Sequence, residues 1–261
     1  MGRFARSAVT AVLVAATSSC ALVGAAGLGR SGARPGVDVP SRAAEAAAAP
    51  LGAPGLAPIG VGGYAFSMTQ ADGTTPVAFD PCRPVHYVVR AEGEPSGGAA
   101  LLRWAFDRLT EATGLQFVDD GPTDEGPSEH RPSYQPDRYG DRWAPVLVVW
   151  SSGAETAMVA GAVLGRAGPD AFGTDEPGSL RYVSGEAVFN GPALDVQLRT
   201  GDDAKARAVL LHELGHLVGL AHVADPYQVM YDTNAYPLGS YRDGDRRGLE
   251  QLGMGRCFRD V

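Results

Sequence analysis

The strongest hydrophobic pattern of the chain lies between residues 200 and 220. Small and aliphatic residues recur there at intervals of three and four, at Ala206, Leu210, Leu214 and Leu217. This period predicts a helix with one buried face. Thr200 precedes the pattern as an N-cap, with Asp203 completing a capping box. Gly219 follows it, and because glycine adopts positive φ freely, it can end the helix.

Shorter apolar runs upstream predict strands, with one further helix among them. The strands fall at 84–90, 115–118, 145–150, 161–165 and 182–189, and the helix at 99–113 with Gly114 as its C-cap. The run from Val146 to Trp150 has no polar position, which is typical of a central strand buried on both faces. The order of elements is strand, helix, four strands and a final helix, an α+β arrangement.

The N-terminal quarter of the chain shows no pattern of a folded core. Residues 1–30 combine two early arginines with an apolar run and small residues, as in a cleaved signal peptide. The run is also long enough for an uncleaved membrane anchor. Cys20 offers a lipidation site, although its sequence context is a poor match. Residues 31–63 are rich in Ala, Gly and Pro, which predicts a flexible linker. The folded domain is expected at 64–261.

Net charge narrows the class of function. The chain carries −8, and because residues 1–63 hold five arginines against two carboxylates, the remainder carries −11. So acidic a domain is not expected to bind nucleic acid through its phosphates. The charge suits a secreted, extracellular enzyme, and an N-terminal anchor with the folded domain outside is the alternative. We expect a monomer.

The candidate chemistry lies at the end of the predicted helix that begins at Thr200. The run starting at His212 reads H-E-L-G-H-L-V-G-L-A-H. His212 and His216 are one helical turn apart and share a face. After the turn, the chain can bring His222 to the same metal ion. Three neutral imidazoles with one open position describe a catalytic zinc site, and Glu213 lies beside it, near any water on the metal.

This run resembles the metzincin signature of zinc peptidases, H-E-x-x-H-x-x-G-x-x-H followed by a Met-turn. Met230 follows the third histidine at a distance that suits the Met-turn, which would span residues 228–232. Residues 243–253 resemble the closing helix of the matrixin branch. The resemblance is strong over 200–254 and looser over 85–199. It departs at Val223, where matrixins usually carry Ser, and it does not extend to the second, structural zinc site of vertebrate matrixins.

The resemblance implies a metzincin-type zincin fold: a mixed, twisted five-stranded sheet, an active-site helix and a small C-terminal subdomain after the Met-turn. An antiparallel edge strand, expected at Ala157–Gly168, would bind extended substrate. Gly219 would turn the chain, and Met230 would lie under the zinc without binding it. The implied activity is that of a secreted zinc endopeptidase acting on proteins or peptides, with Glu213 carrying the proton.

Two other classes of function stay open. The same hydrolytic centre can act on a non-peptide amide or ester. A secreted or surface protein can also bind zinc through the three histidines without turnover, although such a site has no need of Glu213.

A long acidic loop at 119–144 is a further candidate site. Its first part holds four carboxylates: Asp119, Asp120, Asp124 and Glu125. Acidic loops bind calcium in matrixins, but this spacing matches no known calcium loop, so a solvated loop is the competing interpretation. His130 in this loop is expected to be exposed, and His86 is expected on the polar face of the first strand.

The chain has three cysteines: Cys20, Cys82 and Cys257. Export would remove Cys20 with the signal or occupy it with lipid. The remaining two are then expected to pair in an oxidising compartment and to clasp both ends of the folded domain. The alternative is that Cys82 serves as an inhibitory zinc ligand, a cysteine switch, although its surroundings share only Pro and Cys with that motif.

Overall fold

The computed structural model describes residues 40, 45–173, 179–233 and 237–258. The signal or anchor segment predicted for 1–30, including Cys20, lies outside these residues. Among the helices that are described, none is both long and apolar enough to cross a bilayer.

The described residues form five strands and five α-helices. The strands are β1 (Val85–Arg90), β2 (Phe117–Pro122), β3 (Val146–Ser151), β4 (Gly165–Gly173) and β5 (Leu180–Asn190). The helices are α1 (Gly98–Thr113), α2 (Pro136–Tyr139), α3 (Gly191–Arg199), α4 (Asp203–Val218) and α5 (Asp243–Gly253).

One mixed sheet carries the fold, with the strand order β2-β1-β3-β5-β4. The pairs β1–β2, β1–β3 and β3–β5 are parallel, whereas β4 runs antiparallel to β5 at the edge of the sheet. The α+β fold class with a mixed five-stranded sheet is therefore confirmed.

Strand β3 is buried along its whole length, as its unbroken apolar sequence predicts. Val148 and Trp150 pack into the main core, which lies between the sheet and the helices. Leu147 and Val149 point to the opposite face and join a second, smaller cluster with Val188. Because successive side chains of a strand alternate between its faces, both faces of β3 are covered.

Helix α4 is buried on almost every side rather than along one face. The four residues of the predicted stripe are fully buried. Val209, Leu211, His212 and Glu213 are also buried, because α1, α3, α5 and β4 all pack against this helix. His212 and Glu213 of α4 therefore stand in a largely desolvated environment, whereas His216 is half-buried.

The predicted N-cap of α4 at Thr200 is wrong, because a separate helix, α3, ends there. Thr200 ends α3 as its C-cap, and its hydroxyl donates to the carbonyl of Val196 at 2.9 Å. Gly201 then turns the chain in the left-handed region, at φ 77°, before α4 begins at Asp203. A threonine hydroxyl can bond the carbonyl four residues back as readily as it caps a following helix.

The predicted edge strand is displaced along the chain. Ala157–Val159 forms a 3₁₀ turn, and the side-chain amide of Asn190 donates to the carbonyl of Val159 at 3.0 Å, which keeps this segment out of the ladder. Pairing with β5 starts at Gly165 and continues to Gly173. The edge strand is therefore β4, which overlaps the predicted range only in its first residues.

Part of the predicted linker lies against the folded domain. The backbone N–H of Ala47 donates to the carbonyl of Cys82, and that of Gly55 to the carbonyl of Glu111, both at 2.8 Å. The guanidinium of Arg246 also donates to the carbonyl of Leu56. Contacts of the domain thus extend upstream of the predicted boundary at 64, which itself stays a prediction.

The predicted cysteine pair is a disulfide in the structure. Cys82 and Cys257 are joined with their Cα atoms 5.3 Å apart and 175 residues apart in sequence. The carboxylate of Asp80 accepts from the backbone N–H groups of Cys82 and Phe258, so the ends of the domain are also tied by hydrogen bonds. Cys82 is buried and bonded, which leaves the cysteine-switch interpretation without support.

Candidate metal centre and cleft

Three histidine rings converge on one point at the end of α4. The Nε2 atoms of His212 and His216 are 3.1 Å apart, and those of His212 and His222 are also 3.1 Å apart. The third separation, between His216 and His222, is 3.0 Å. Two zinc-bound nitrogens at ~2.0–2.1 Å and near-tetrahedral angles are about 3.3 Å apart, so the donor set fits one zinc ion.

Backbone carbonyls fix the ring orientation of the two helical histidines. His212 Nδ1 lies 2.8 Å from the carbonyl oxygen of Val229, and His216 Nδ1 lies 2.8 Å from that of Leu220. A carbonyl only accepts, so each Nδ1 carries the hydrogen and each Nε2 presents a lone pair. Lone pairs that face each other at this distance repel unless a cation lies between them, which favours a metal centre.

The chain after α4 is guided so that His222 reaches the other two rings. Gly219 ends the helix at φ 114°, and a β-carbon there would stand 2.8 Å from the ring of Tyr182. The backbone N–H of Ala221 then donates to the carbonyl of Ala65, and that of Val223 to the carbonyl of Met230. The third ligand is therefore positioned by backbone pairing on both sides.

The matrixin family matches the chain over residues 150–252. The match runs from the end of β3 to the last turn of α5 and includes all three histidines. This segment is a matrixin-like metzincin. It is therefore, in general terms, a zinc metallopeptidase segment whose family acts on proteins or peptides. No curated protein matches the chain.

The Met-turn of the matrixin-like segment is held by a buried carboxylate from α5. Asp245 is 1% exposed, and its oxygens accept from the backbone N–H groups of Val229 at 2.8 Å and Met230 at 3.2 Å. It also accepts from the backbone N–H of Arg242, the N-cap residue of α5. Because the carbonyl of Val229 orients the ring of His212, Asp245 stabilises the metal centre through the Met-turn.

Sequence reasoning gave Asp245 no such role. Its neighbour Gln228 was missed in the same way: the Gln228 side chain accepts from the backbone N–H of Gly244 at 2.9 Å. The available signal was the acidic residue at the third position of α5, where carboxylates bond the helix start. Nothing in the sequence indicated that the same carboxylate reaches a turn fifteen residues earlier.

Glu213 is buried beside the histidines. It is 8% exposed and lies against β4, where a β-carbon on Gly165 would stand 3.1 Å from its Oε1 atom. Burial raises the pKa of Glu213 to about 8, although the backbone N–H of Ala167 acts in the opposite direction. A cation held by the three histidines would lower this pKa, since an opposite charge favours the ionised form.

Burial also keeps the helical histidines neutral. It lowers the pKa of His212, and it lowers that of His216 to about 3, with the neighbouring His212 adding to the effect. Neutral imidazole is the form that binds a metal ion. The desolvation that raises the pKa of Glu213 therefore also favours the metal-binding, neutral form of His212 and His216.

A cleft opens along this centre. Its lining combines the three histidines and Glu213 with Val209 of α4, residues 162–167 of β4 and its preceding loop, and Asp232 and Thr233 after the Met-turn. The edge strand and the metal centre thus share one surface.

The acidic loop residues are engaged with other side chains. Asp120 accepts from Arg142 and from His86, Asp124 pairs with Arg138, and Glu125 accepts from Arg131. Among the described residues these carboxylates do not converge on a common point. Calcium in this loop stays a prediction without structural support, and His130 is exposed as expected.

Proposed function

We propose that the chain is a secreted endopeptidase that holds one zinc ion at His212, His216 and His222. The convergence of three Nε2 atoms beside the buried carboxylate of Glu213 carries this proposal. A structural zinc site closes its fourth position with a protein ligand, whereas here the described residues offer three ligands and an open cleft.

The residues of the chain then divide the chemistry between them. A zinc ion bound at this site supplies Lewis-acid polarisation of a carbonyl group and acidifies a water molecule. Glu213 takes a proton from that water as its oxygen bonds to the carbonyl carbon. When the carbon–nitrogen bond breaks, Glu213 delivers the proton to the leaving amine nitrogen. Burial raises the pKa of Glu213 and a bound cation would lower it, and these opposing effects favour both transfers near neutral pH.

The edge of the sheet supports a peptide as the substrate. β4 pairs with β5 on one side only, so its other side offers backbone donors and acceptors to an extended chain. The cleft along β4 is open to solvent rather than enclosed, which suits a bond inside a chain.

Two observations support export. The described part of the chain is closed by a disulfide, which persists in oxidising compartments. The net charge of −8 also suits a soluble extracellular protein. We therefore propose the secreted form, with N-terminal anchoring as the alternative.

Two candidate functions compete with peptide hydrolysis. A hydrolase of non-peptide amides or esters would use the same centre but would have no use for an edge strand. Burial of the Glu213 carboxylate costs free energy. A protein that only binds zinc gains nothing from this cost, since the three histidines hold the ion without Glu213.

Digestion of an unfolded protein by the full chain separates these functions. The zinc-loaded chain should cleave internal peptide bonds, the products should be visible by mass spectrometry, a chelator should stop cleavage and added zinc should restore it. Cleavage of small esters alone would favour the non-peptide hydrolase. Stoichiometric zinc without any turnover would favour the binding protein.

A further inference from the structure

Asp232 is the charged side chain of the cleft that the proposed chemistry leaves unused. Among the described residues, the cleft lining contains two carboxylates, Glu213 and Asp232, and one arginine, Arg166. Glu213 is assigned to proton transfer. Arg166 is paired with Val188, whose side chain lies in the cluster on the far face of the sheet. Paired residues of neighbouring strands point to the same face, so Arg166 points away from the histidines.

Asp232 stands close to the metal centre and is open to solvent. It follows Met230 by two residues and is exposed. Within the described part of the chain, no cationic side chain or hydrogen-bond donor pairs with it. It lines the same cleft as the three histidines and Glu213, so its charge lies at the end of the cleft where the bond would be cleaved.

Apart from the exposed Thr233, the other described side chains of the cleft wall are aliphatic. Val163 and Leu164 precede β4, and Val209 lies on α4. Asp232 is thus the charged group that a substrate side chain meets beside this aliphatic surface and the neutral hydroxyl of Thr233, and a cation is the partner that a solvent-exposed carboxylate attracts.

We infer that Asp232 selects peptides that carry a lysine or arginine next to the cleaved bond. This inference rests on the proposed endopeptidase activity and names its substrate class. The general negative charge of the chain attracts any basic peptide, but it cannot distinguish one substrate position from another. Asp232 belongs to the cleft lining that contains the histidines, so we expect its effect at the substrate position nearest to it.

The test compares peptides that differ only in the place of one lysine. A peptide cleaved by the zinc-loaded full chain is remade with lysine, or with glutamine as its neutral match, at each position flanking the cleaved bond. We expect one position at which lysine raises kcat/KM by roughly threefold to fivefold, the range of an exposed ion pair, and less at high salt. Asp232→Asn should remove this ratio, and Asp232→Arg should invert it in favour of glutamate.

Binding without cleavage provides an independent readout. In a Glu213→Gln background, the lysine peptide should bind more tightly than the glutamine peptide by a similar factor, and Asp232→Asn should equalise the two. Asp137→Asn, an exposed change on α2 outside the cleft, is the matched control and should leave both ratios unchanged. Zinc content and melting temperature show that each variant is folded.

The outcomes separate this inference from the function on which it rests. If the parent chain cleaves no peptide, the endopeptidase proposal fails. If it cleaves peptides but shows no position-specific preference for lysine, or if Asp232→Asn retains that preference, Asp232 does not select the substrate and the endopeptidase proposal stands.

Discussion

Met230 occupies the space that a side chain at Gly215 would need. A β-carbon built on Gly215 would stand 2.5 Å from the sulfur of Met230 and 3.3 Å from its methyl group. Met230 is 1% exposed, and Gly215 lies between the glutamate and the second histidine of α4. The contact explains why the helix carries a glycine in its interior, where glycine costs ~1 kcal/mol relative to alanine.

The substitution Gly215→Ala should destabilise the protein despite the better helix propensity of alanine. Displacing a buried methionine costs about 1–3 kcal/mol, which outweighs the gain in propensity. Urea unfolding of the metal-free full chain measures the change. Gly126→Ala is the matched control, since a β-carbon there meets nothing within 4 Å. Equal stabilities of the two variants would contradict the steric role of Met230.

The substitution Glu213→Gln should separate metal binding from turnover. Glutamine keeps the size and polarity of the side chain but cannot carry the proton, so kcat should fall by at least ~10²-fold while one zinc ion per chain is retained. His216→Ala should lose both properties. Zinc analysis and peptide cleavage assays measure them, and parental turnover in the glutamine variant would refute the proton-carrier role.

Two desolvated groups of the metal centre, His216 and Glu213, should give the metal-free protein opposing dependences on pH. His216 has its pKa lowered by burial from 6.5 to about 3, so below pH 6.5 the unfolded chain binds a proton that the folded chain does not. Its contribution to stability is therefore lost as the pH falls from 6.5 to 3. Glu213 has its pKa raised by burial from 4.5 to about 8, so its contribution is lost as the pH rises through that interval.

Variants that cannot titrate should reveal each dependence. Relative to the parent, His216→Asn should gain stability as the pH falls from 6.5, and Glu213→Gln should gain stability as the pH rises from 4.5 to 8. The free energy of unfolding in urea at pH 5 and pH 7.5, without metal, provides the comparison. If the difference in the free energy of unfolding between variant and parent does not change with pH, these groups titrate alike in the folded and unfolded states.

The substitution Asp245→Asn should weaken the metal centre from a distance. An amide has one acceptor oxygen instead of two, so at least one buried N–H of the Met-turn loses its partner, at a cost of about 1–3 kcal/mol. Loss of an outer hydrogen-bond partner typically lowers metal affinity by ~10-fold or more. Competition with a chelator measures the zinc affinity. Asp243→Asn, on the same helix turn, should change it little, and an equal loss in both variants would count against a specific role for Asp245.

Loss of the disulfide should destabilise the fold without removing the metal ligands. Changing both Cys82 and Cys257 to serine should lower the free energy of unfolding by about 2–4 kcal/mol, since the bond closes a very long loop.

Thiol titration of the denatured, secreted parent should find no free cysteine. Activation of the protein by modifying Cys82 would revive the cysteine switch.

Local patterns in the sequence determined the parts of the site that depend on one helical turn. The spacing of His212 and His216, the position of Glu213 and the helix end at Gly219 all follow from the geometry of a single helix. The unbroken apolar run of β3 likewise predicted its burial on both faces. Such features are encoded by neighbours in the chain, so periodicity and glycine chemistry are enough to find them.

Only the tertiary structure decided how distant segments meet. Thr200 can cap a helix before it or after it, and Asn190 ties the loop that keeps Ala157–Val159 out of the edge strand. The reach of Asp245 to the Met-turn and the place of Asp232 in the cleft depend in the same way on packing between elements. The sequence does not distinguish a buried carboxylate such as Asp245 from an exposed one such as Asp232, because the packing of distant segments determines what surrounds each side chain.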